Sequence, residues 1–333
     1  MSVNIEDVAK YANVSKSTVS RVLNESGPVS EITKNRVLEA VDKLSYQPNH
    51  IARSLKKKKT HFVGLIVPNV QNPFYSKISW HAEKMLQDKN YRTIICNTNY
   101  NPTKEEKYIE ALKNTKVDGI ISVSGEKTEK LCDIFWEEDF PIVFIDRKIK
   151  EKNIPYVISD NVQGGQMATR HLIELGHTRI IFLTSDDTQA QRERLKGYKK
   201  ALKEHNIKIR KEYIFKAPEE GLDKTQSKKI INLIKSKPSP TAIFVVNDYK
   251  AIKTLEILRK NNFSVPDDIS LIGFDNIDFA SLFGLTTIYQ PIKKMINIAL
   301  QKLFPEFNKE SAKLPSIIKP KLIERDTTSL NKN

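Results

Sequence analysis

Short apolar runs recur along this chain, at Phe62 to Val67, Thr93 to Cys96, Gly119 to Val123, Ile142 to Ile145, Tyr156 to Ser159, Ile180 to Thr184, Ala242 to Val246 and Ile269 to Gly273. Between them lie amphipathic stretches with helical spacing, such as Tyr75 to Lys89 and Gly164 to Leu175. A strand that is apolar on both faces is covered on both faces, and parallel sheets wrapped by crossover helices produce that pattern. The core is therefore expected to be doubly wound α/β with parallel sheets, and in such sheets ligands gather beyond the carboxyl ends of the strands.

The first sixty residues follow a different rule. Asn4 is placed to cap a short helix through Tyr11, whose apolar positions Ile5, Val8, Ala9 and Ala12 share one face. Asn13 tolerates the left-handed conformation of a tight turn, and Ser15 is placed to cap the next helix. Val14, Val19, Val22 and Leu23 bury that second helix against the first, while Lys16, Ser17, Ser20 and Arg21 face outward. Small donors permit close backbone approach, and cations suit phosphates or guanine edges, so this face reads as the DNA-facing helix of a helix-turn-helix. A third helix, capped by Ser30, runs to about Leu44 with Val37, Ala40, Val41 and Leu44 as its inward stripe. After Tyr46-Gln47-Pro48, Asn49 can cap a fourth segment, His50 to Leu55, that is too short to be stable alone and has nothing local to bury it. It is built to order itself against a partner.

These residues resemble the lactose/galactose repressor family (LacI/GalR type). IEDVAKYANVSKSTVSRVLN and VSEITKNRVLEAVDKLSYQPNHIARSL match that family's headpiece with few departures, and the likeness runs on to about Arg325. Its landmarks are GLIVPNVQNPFY from Gly64, DGIISVS from Asp118, SDNVQGGQMATRHLIELGHTRI from Ser159, RERLKGY from Arg192, TAIFVVND from Thr241, VPDDISLIGFDNID from Val265 and LTTIYQP from Leu285. The Ser159 segment resembles the ribose- and sucrose-type members. The resemblance implies that Lys16, Ser17 and Arg21 read bases and that Leu55 enters the minor groove at the operator centre. The DNA-contacting set it implies is Ser15, Lys16, Ser17, Thr18, Ser20, Arg21, Asn24, Asn49, Ala52 and Leu55.

The chain carries 55 Lys or Arg against 40 Asp or Glu, a formal net charge of +15. Residues 1–60 hold about a third of that excess, so the core is basic as well. A basic balance favours association with nucleic acid, in part through released counterions. Cys96 and Cys132 stand apart without metal-ligand spacing and are expected to be buried and reduced. No apolar signal core and no membrane-length apolar run is found, so a cytoplasmic protein without membrane association is expected. Neither a Walker A pattern nor G-x-G-x-x-G, H-E-x-x-H or G-x-S-x-G is present, which argues against a nucleotide-dependent enzyme and implies no cofactor or metal.

The residues that follow the strands carry chemistry: Asn72-Pro73-Phe74, Asp146-Arg147, Asn247-Asp248 and Asp275, with Arg192 and Arg194 opening a helix after Thr184. A sugar's hydroxyls both donate and accept, so a site for one uses carboxylates, Asn and Arg with an aromatic face. In the family the core is similar to periplasmic sugar-binding proteins, two subdomains closing on a small molecule. The matching effector positions are Phe74, Arg147, Arg194, Asn247, Asp248, Asp275 and Gln290. Many relatives carry an aromatic just before the helix that begins near Lys224; here Gly221-Leu222 stand there, and Phe215 is the ring left to stack.

The reading is a homodimeric repressor of a carbohydrate operon, acting on a near-palindromic double-stranded DNA operator and controlled by a small sugar. Its expected parts are a headpiece over 1–48, a hinge helix and basic linker over 49–60, and an effector core over 61–330. Within the core, one subdomain takes about 61–160 plus 291–319 and the other about 161–290 plus 320–330. A catabolite-control regulator using a phosphorylated carrier protein as co-effector is the alternative within the family.

Overall fold

The computed structural model describes residues 3–24, 26–46, 59–123, 140–149, 154–185, 188–217, 224–307 and 316–332. The chain divides into two compact units, 1–60 and 61–333. The expected segment His50 to Leu55, with Asn49, Ala52 and Leu55, lies outside the described residues, as does Cys132.

The first unit holds α1 (Ile5–Tyr11), α2 (Lys16–Leu23) and α3 (Glu31–Lys43). Asn4 and Asp7 cap α1 reciprocally: the Asn4 side chain accepts from the amides of Glu6 and Asp7, and Asp7 accepts from the Asn4 amide at 2.9 Å. Ser15 and Ser30 cap α2 and α3 by accepting from the amides of Thr18 and Thr33. Asn13 turns the chain at φ 49°. Sequence reasoning missed the brace on that turn, in which the Arg36 guanidinium donates to the carbonyls of Ala12 and Asn13 at 2.5 and 3.0 Å. Val8, Val19, Val37 and Ala40 form the fully buried centre, and Tyr46 folds back onto it.

In the second unit two six-stranded sheets define two lobes. The first contains β1 (Phe62–Val67), β2 (Arg92–Asn97), β3 (Gly119–Val123), β4 (Ile142–Ile145), β5 (Tyr156–Ser159) and β11 (Ile317–Ile318) in the order β11-β5-β4-β3-β1-β2, all parallel. The second contains β6 (Ile180–Thr184), β7 (Ile214–Lys216), β8 (Ala242–Val245), β9 (Ser270–Asp275), β10 (Thr286–Tyr289) and β12 (Lys321–Ile323) in the order β12-β10-β9-β8-β6-β7. It is parallel except that β12 runs antiparallel to β10. The chain passes between lobes at Ser159–Asn161, at Gln290–Ile292 and between β11 and β12. Four strands escaped the sequence reading, β7, β10, β11 and β12. The first, third and fourth are short edge or near-edge pieces, and β10, TTIY, is half threonine and lacks the unbroken apolar signal.

Helices cover both faces of each sheet. In the first lobe α4 (Pro73–Gln87) and α11 (Ile292–Leu303) cover one face and α5 (Pro102–Asn114) the other. In the second lobe α8 (Lys224–Lys235) and α9 (Asp248–Lys260) cover one face, α6 (Asn161–Glu174) and α7 (Gln189–Glu204) the other. A short helix α10 (Asp278–Leu282) follows β9. Among the described residues, no helix is long and apolar enough to cross a membrane.

The closest packing joins α6 to α7. A Cβ built on Gly165 would lie 2.3 Å from the Arg194 carbonyl oxygen, and one on Gly197 would lie 2.2 Å from that of Val162. The helices meet backbone to backbone there, which only glycine permits. Gly197→Ala should therefore force the pair apart and lower stability by about 1–3 kcal/mol or more, since overpacking against backbone has no side chain to yield. Urea unfolding of the purified variant measures this; a midpoint equal to wild type would show that the helices can separate freely.

Candidate functional site

Two surfaces carry the candidate residues. In the first unit Lys16, Ser17 and Arg21 are exposed on α2, with Thr18 and Ser20 half-buried beside them. The Ser15 hydroxyl lies 2.7 Å from that of Ser17 and 2.8 Å from that of Thr18, so capping holds the start of the helix in order. Lys16 forms an ion pair with Glu6 of α1. Asn24 donates to the Ser20 carbonyl at 2.6 Å and so closes the helix end.

In the second unit the carboxyl ends of the two sheets face each other across a cleft. Inter-lobe contacts fix this: the Lys148 amide donates to the Gln189 side chain at 3.2 Å, and Lys77 of α4 pairs with Asp278 of α10 at 2.5 Å. Arg194 is the centre of the cleft floor. Its side chain is buried, its Nε donates to Asn161 at 2.9 Å and its Nη1 to the Val246 carbonyl at 2.6 Å. Its guanidinium stacks on the Phe274 ring, 3.7 Å from the centroid. Asp275 Oδ1 lies 3.5 Å from Nη1 and accepts from Gln290 Nε2 at 2.7 Å.

Asp275 closes β9 at φ 117°, and Asn276 follows at φ 54°. For a residue with a Cβ such a backbone costs about 1–3 kcal/mol, strain that concentrates at ligand sites. Burial pushes the Asp275 carboxyl well above the usual range against the pull of Arg194, with Asp248 and Asp146 adding repulsion. Across the cleft, Asp146 at the end of β4 stands at φ 60°. Its Oδ1 is buried with no hydrogen-bond partner among the described residues, and the same holds for Gln290 Oε1.

Of the seven effector positions expected from the sequence, the structure brings Arg194, Asp275 and Gln290 into one hydrogen-bonded group. Arg147 lies over the Phe144 ring on the facing lobe, 5.6 Å from its centroid. Phe74 is buried at the start of α4, its ring edge-on to Tyr75. Asn247 caps α9 by accepting from the Lys250 amide at 2.8 Å. Asp248 is not a cleft residue. It is fully buried, Oδ1 accepting from Thr287 at 2.5 Å and Oδ2 from the Ile277 amide at 3.0 Å, so it latches β10 and the β9–α10 turn to α9. Phe215 does not stack in the cleft, because its ring packs into the core under α8 and α9. Sequence reasoning singled out Asp146 after β4 without placing it in the effector set, and passed over Asn161, which stands two residues after β5.

With this geometry in view, the family model for bacterial regulatory proteins of the lacI family matches residues 4–49, and that for the periplasmic binding protein-like domain matches 169–328. The HTH-type transcriptional regulator DegA of Bacillus subtilis is 35% identical, covering 99% of each chain. The HTH-type transcriptional repressor PurR of Vibrio campbellii is 34% identical over 97% of this chain and 98% of its own. A periplasmic binding protein/LacI transcriptional regulator from Alkaliphilus metalliredigens, solved with D-xylulofuranose, superposes with a TM-score of 0.70 at 31% identity over 80% of this chain and 99% of its own. Fold and relatives together define a sequence-specific DNA-binding transcriptional regulator with a periplasmic-binding-protein-like core. The chain belongs to the LacI family.

Burial raises the Asp146 carboxyl from 3.8 to about 6, with Arg194 opposing. The folded state therefore holds this proton more tightly than the unfolded chain, and stability contributed by the protonated carboxyl is lost as pH rises through that window. Asp146→Asn, which tolerates the same left-handed backbone, should match wild type near pH 3.5 and become more stable than it between about pH 4 and 6. The gain should be no more than about 3 kcal/mol, the equivalent of some two pKa units. Thermal unfolding of both proteins across that range checks it; a constant difference at every pH would remove the proton from the account.

Proposed function

We propose that this chain is a repressor of a carbohydrate-utilisation operon that binds a near-palindromic operator as a homodimer and releases or gains grip when a small sugar enters the cleft between the lobes. One observation carries the sugar reading. Two buried acceptors, Asp146 Oδ1 on one lobe and Gln290 Oε1 on the other, lack partners among the described residues, and they flank the Arg194–Asp275 pair. Leaving buried acceptors unmade is costly, and a polyhydroxylated ring supplies donors to both lobes at once while accepting from Arg194. The regulator of Alkaliphilus metalliredigens, 31% identical, is complexed with D-xylulofuranose, which supports the same class of ligand here.

The headpiece supplies the DNA side of the reading, with Lys16, Ser17 and Arg21 as base-facing groups and Ser15, Thr18, Ser20 and Asn24 ordering the helix around them. By resemblance Leu55 is assigned to the minor groove, and Asn49 and Ala52 belong to the DNA-contacting set. The homodimer is supported by an exposed apolar surface at α4 and α10, where Trp80, Phe279, Leu282 and Phe283 are all more than half exposed.

Two tests follow from the separation of the surfaces. A base-contacting pair discriminates by about 1–3 kcal/mol whereas phosphate contacts act on all sequences alike. Exchanging Lys16 and Ser17 should therefore reorder the protein's preference among operator variants in a binding-site selection; equal weakening of every variant would assign these residues to the backbone. A sugar that binds only the native state raises the melting temperature by mass action, so a thermal-shift screen of pentoses, hexoses and disaccharides should yield a hit. With that sugar, Asp275→Asn should keep wild-type operator affinity in a gel shift and lose the sugar's effect on it, a coupling of about 1–3 kcal/mol. Full sugar response in the variant would move the site elsewhere.

A further inference from the structure

The excess positive charge of the core is concentrated, with more than half of it in one short segment. Residues 192–212 hold nine Lys or Arg against three Glu. Arg194 among them is buried. Arg192, Lys196, Lys199, Lys200 and Lys203 are exposed and fall at i, i+4, i+7, i+8 and i+11, one face of α7, while Gly197, Tyr198, Ala201 and Leu202 are buried on the other. At 1.5 Å of rise per residue the five span about 17 Å, roughly one cation every 4 Å. The chain turns back at Asn206, φ 56°, whose amide bonds the Lys203 carbonyl at 3.1 Å, so that exposed Lys208 follows close to the helix end.

Nothing within the fold answers this charge. The three acids of the segment are engaged: Glu193 accepts from Gln189 at 3.1 Å, Glu212 pairs with Arg210 at 3.6 Å, and Glu204 is shared by Gln166 at 2.6 Å, Arg170 at 3.2 Å and Lys200 at 3.9 Å. Lys196, Lys199, Lys203, Lys208 and Lys211 make no ion pair among the described residues. Arg192 and Lys196, Lys196 and Lys200, and Lys199 and Lys203 set like charges four residues apart, which weakens a helix. Among the described residues α7 exposes no large apolar side chain. Protein interfaces are built around an apolar or aromatic centre, which this face lacks. Four of its five cations are lysine, a compact point charge that suits phosphates without reading a planar edge.

We infer that the outer face of α7 is a second, sequence-independent site for double-stranded DNA, and that it holds a duplex separate from the operator. Duplex DNA carries a charge about every 1.7 Å of its axis, about twice the density of a fully acidic extended peptide, and gives up condensed counterions as cations replace them. The position of the face selects a separate duplex over the flanks of the operator. Gln189, at the start of α7, accepts from the Lys148 amide across the cleft, and Tyr198 donates to the carbonyl of Ile180, the first residue of β6, at 2.8 Å. Lys199, Lys200 and Lys203 therefore stand toward the outer pole of the second lobe. Residue 61, where the chain enters this unit, leads into the amino end of β1 at the outer pole of the first lobe.

The full chain, loaded on beads that carry a random-sequence duplex, should retain a second, fluorescent random-sequence duplex from solution at low salt. Retention is read per molecule of bead-bound protein. Replacing three lysines together, Lys196→Ala, Lys199→Ala and Lys203→Ala, should cut it roughly fivefold or more and flatten its log–log salt slope by about 2.7, at about 0.9 per phosphate contact. That variant should melt at or above the wild-type temperature, since like-charge pairs are removed, which separates lost contact from lost fold. Arginine at the same three positions should keep the retention. Unchanged retention in the alanine variant, or its loss in the arginine variant, would overturn the inference. Equal displacement of the fluorescent duplex by poly-L-glutamate at matched charge would overturn it too and give the face to an acidic polypeptide.

Discussion

The guanidinium of Arg194 holds the carboxyl-end edge of the second lobe together. It ties the start of α6 through Asn161, the end of β8 through the Val246 carbonyl and the end of β9 through Asp275, and it rests on Phe274 beneath. Its hydrogen bond to the Val246 carbonyl, at 2.6 Å, is much shorter than its approach to Asp275 at 3.5 Å. The arginine is therefore held chiefly by backbone and amide groups, which do not neutralise it. Its charge is left to act on whatever lies above the floor, and Asp275 stays able to accept from a ligand. A fully formed bidentate pair would have consumed both groups.

That arrangement depends on how closely α6 and α7 approach. Arg194 sits on α7 one turn from Gly197, and its own carbonyl is the atom against which Gly165 of α6 packs. A side chain at either glycine would push α7 outward and carry the guanidinium off Phe274. Gly164 serves the same layer, since a Cβ there would press into the Phe274 ring at 2.7 Å. The double glycine, which has no nucleotide-fingerprint spacing, is thus a packing device placed under the candidate site, so the geometry of Arg194 is set by helix contact below it rather than by the loops alone.

Much of this was legible in the sequence because it is governed by local rules. The caps at Asn4, Ser15 and Ser30 and the left-handed turn at Asn13 require only the residue and its neighbours. The long buried strands declare themselves by unbroken apolar runs, and looking for candidate ligand groups after strands picked out Arg194 and Asp275, whereas Gln290 came only from the family resemblance because β10 was missed. The failures share one cause, dependence on partners distant in sequence. Asn247 and Asp248 are adjacent and chemically alike, yet one caps α9 and the other bonds Thr287, a residue 39 positions away. Gly273 records that choice, because a Cβ there would meet Asp248 Oδ1 at 2.2 Å. Lys250 shows an apolar-looking burial that no periodicity assigns to a lysine, and the Arg36 brace spans more than twenty residues to reach Ala12.

The headpiece shows the same economy at its DNA face. Lys16 enters with its ammonium already paired to Glu6, and both side chains are more than half exposed. Exposed pairs of this kind contribute about 0.2–1 kcal/mol, so the pair orients the lysine without committing it. Duplex DNA presents a phosphate charge about every 1.7 Å along its axis, and a cation that moves to it also releases condensed counterions. The pair therefore leaves Lys16 available to an acceptor outside the protein at little cost. An exposed pair of this kind is screened by salt, so it orients Lys16 most strongly at low ionic strength.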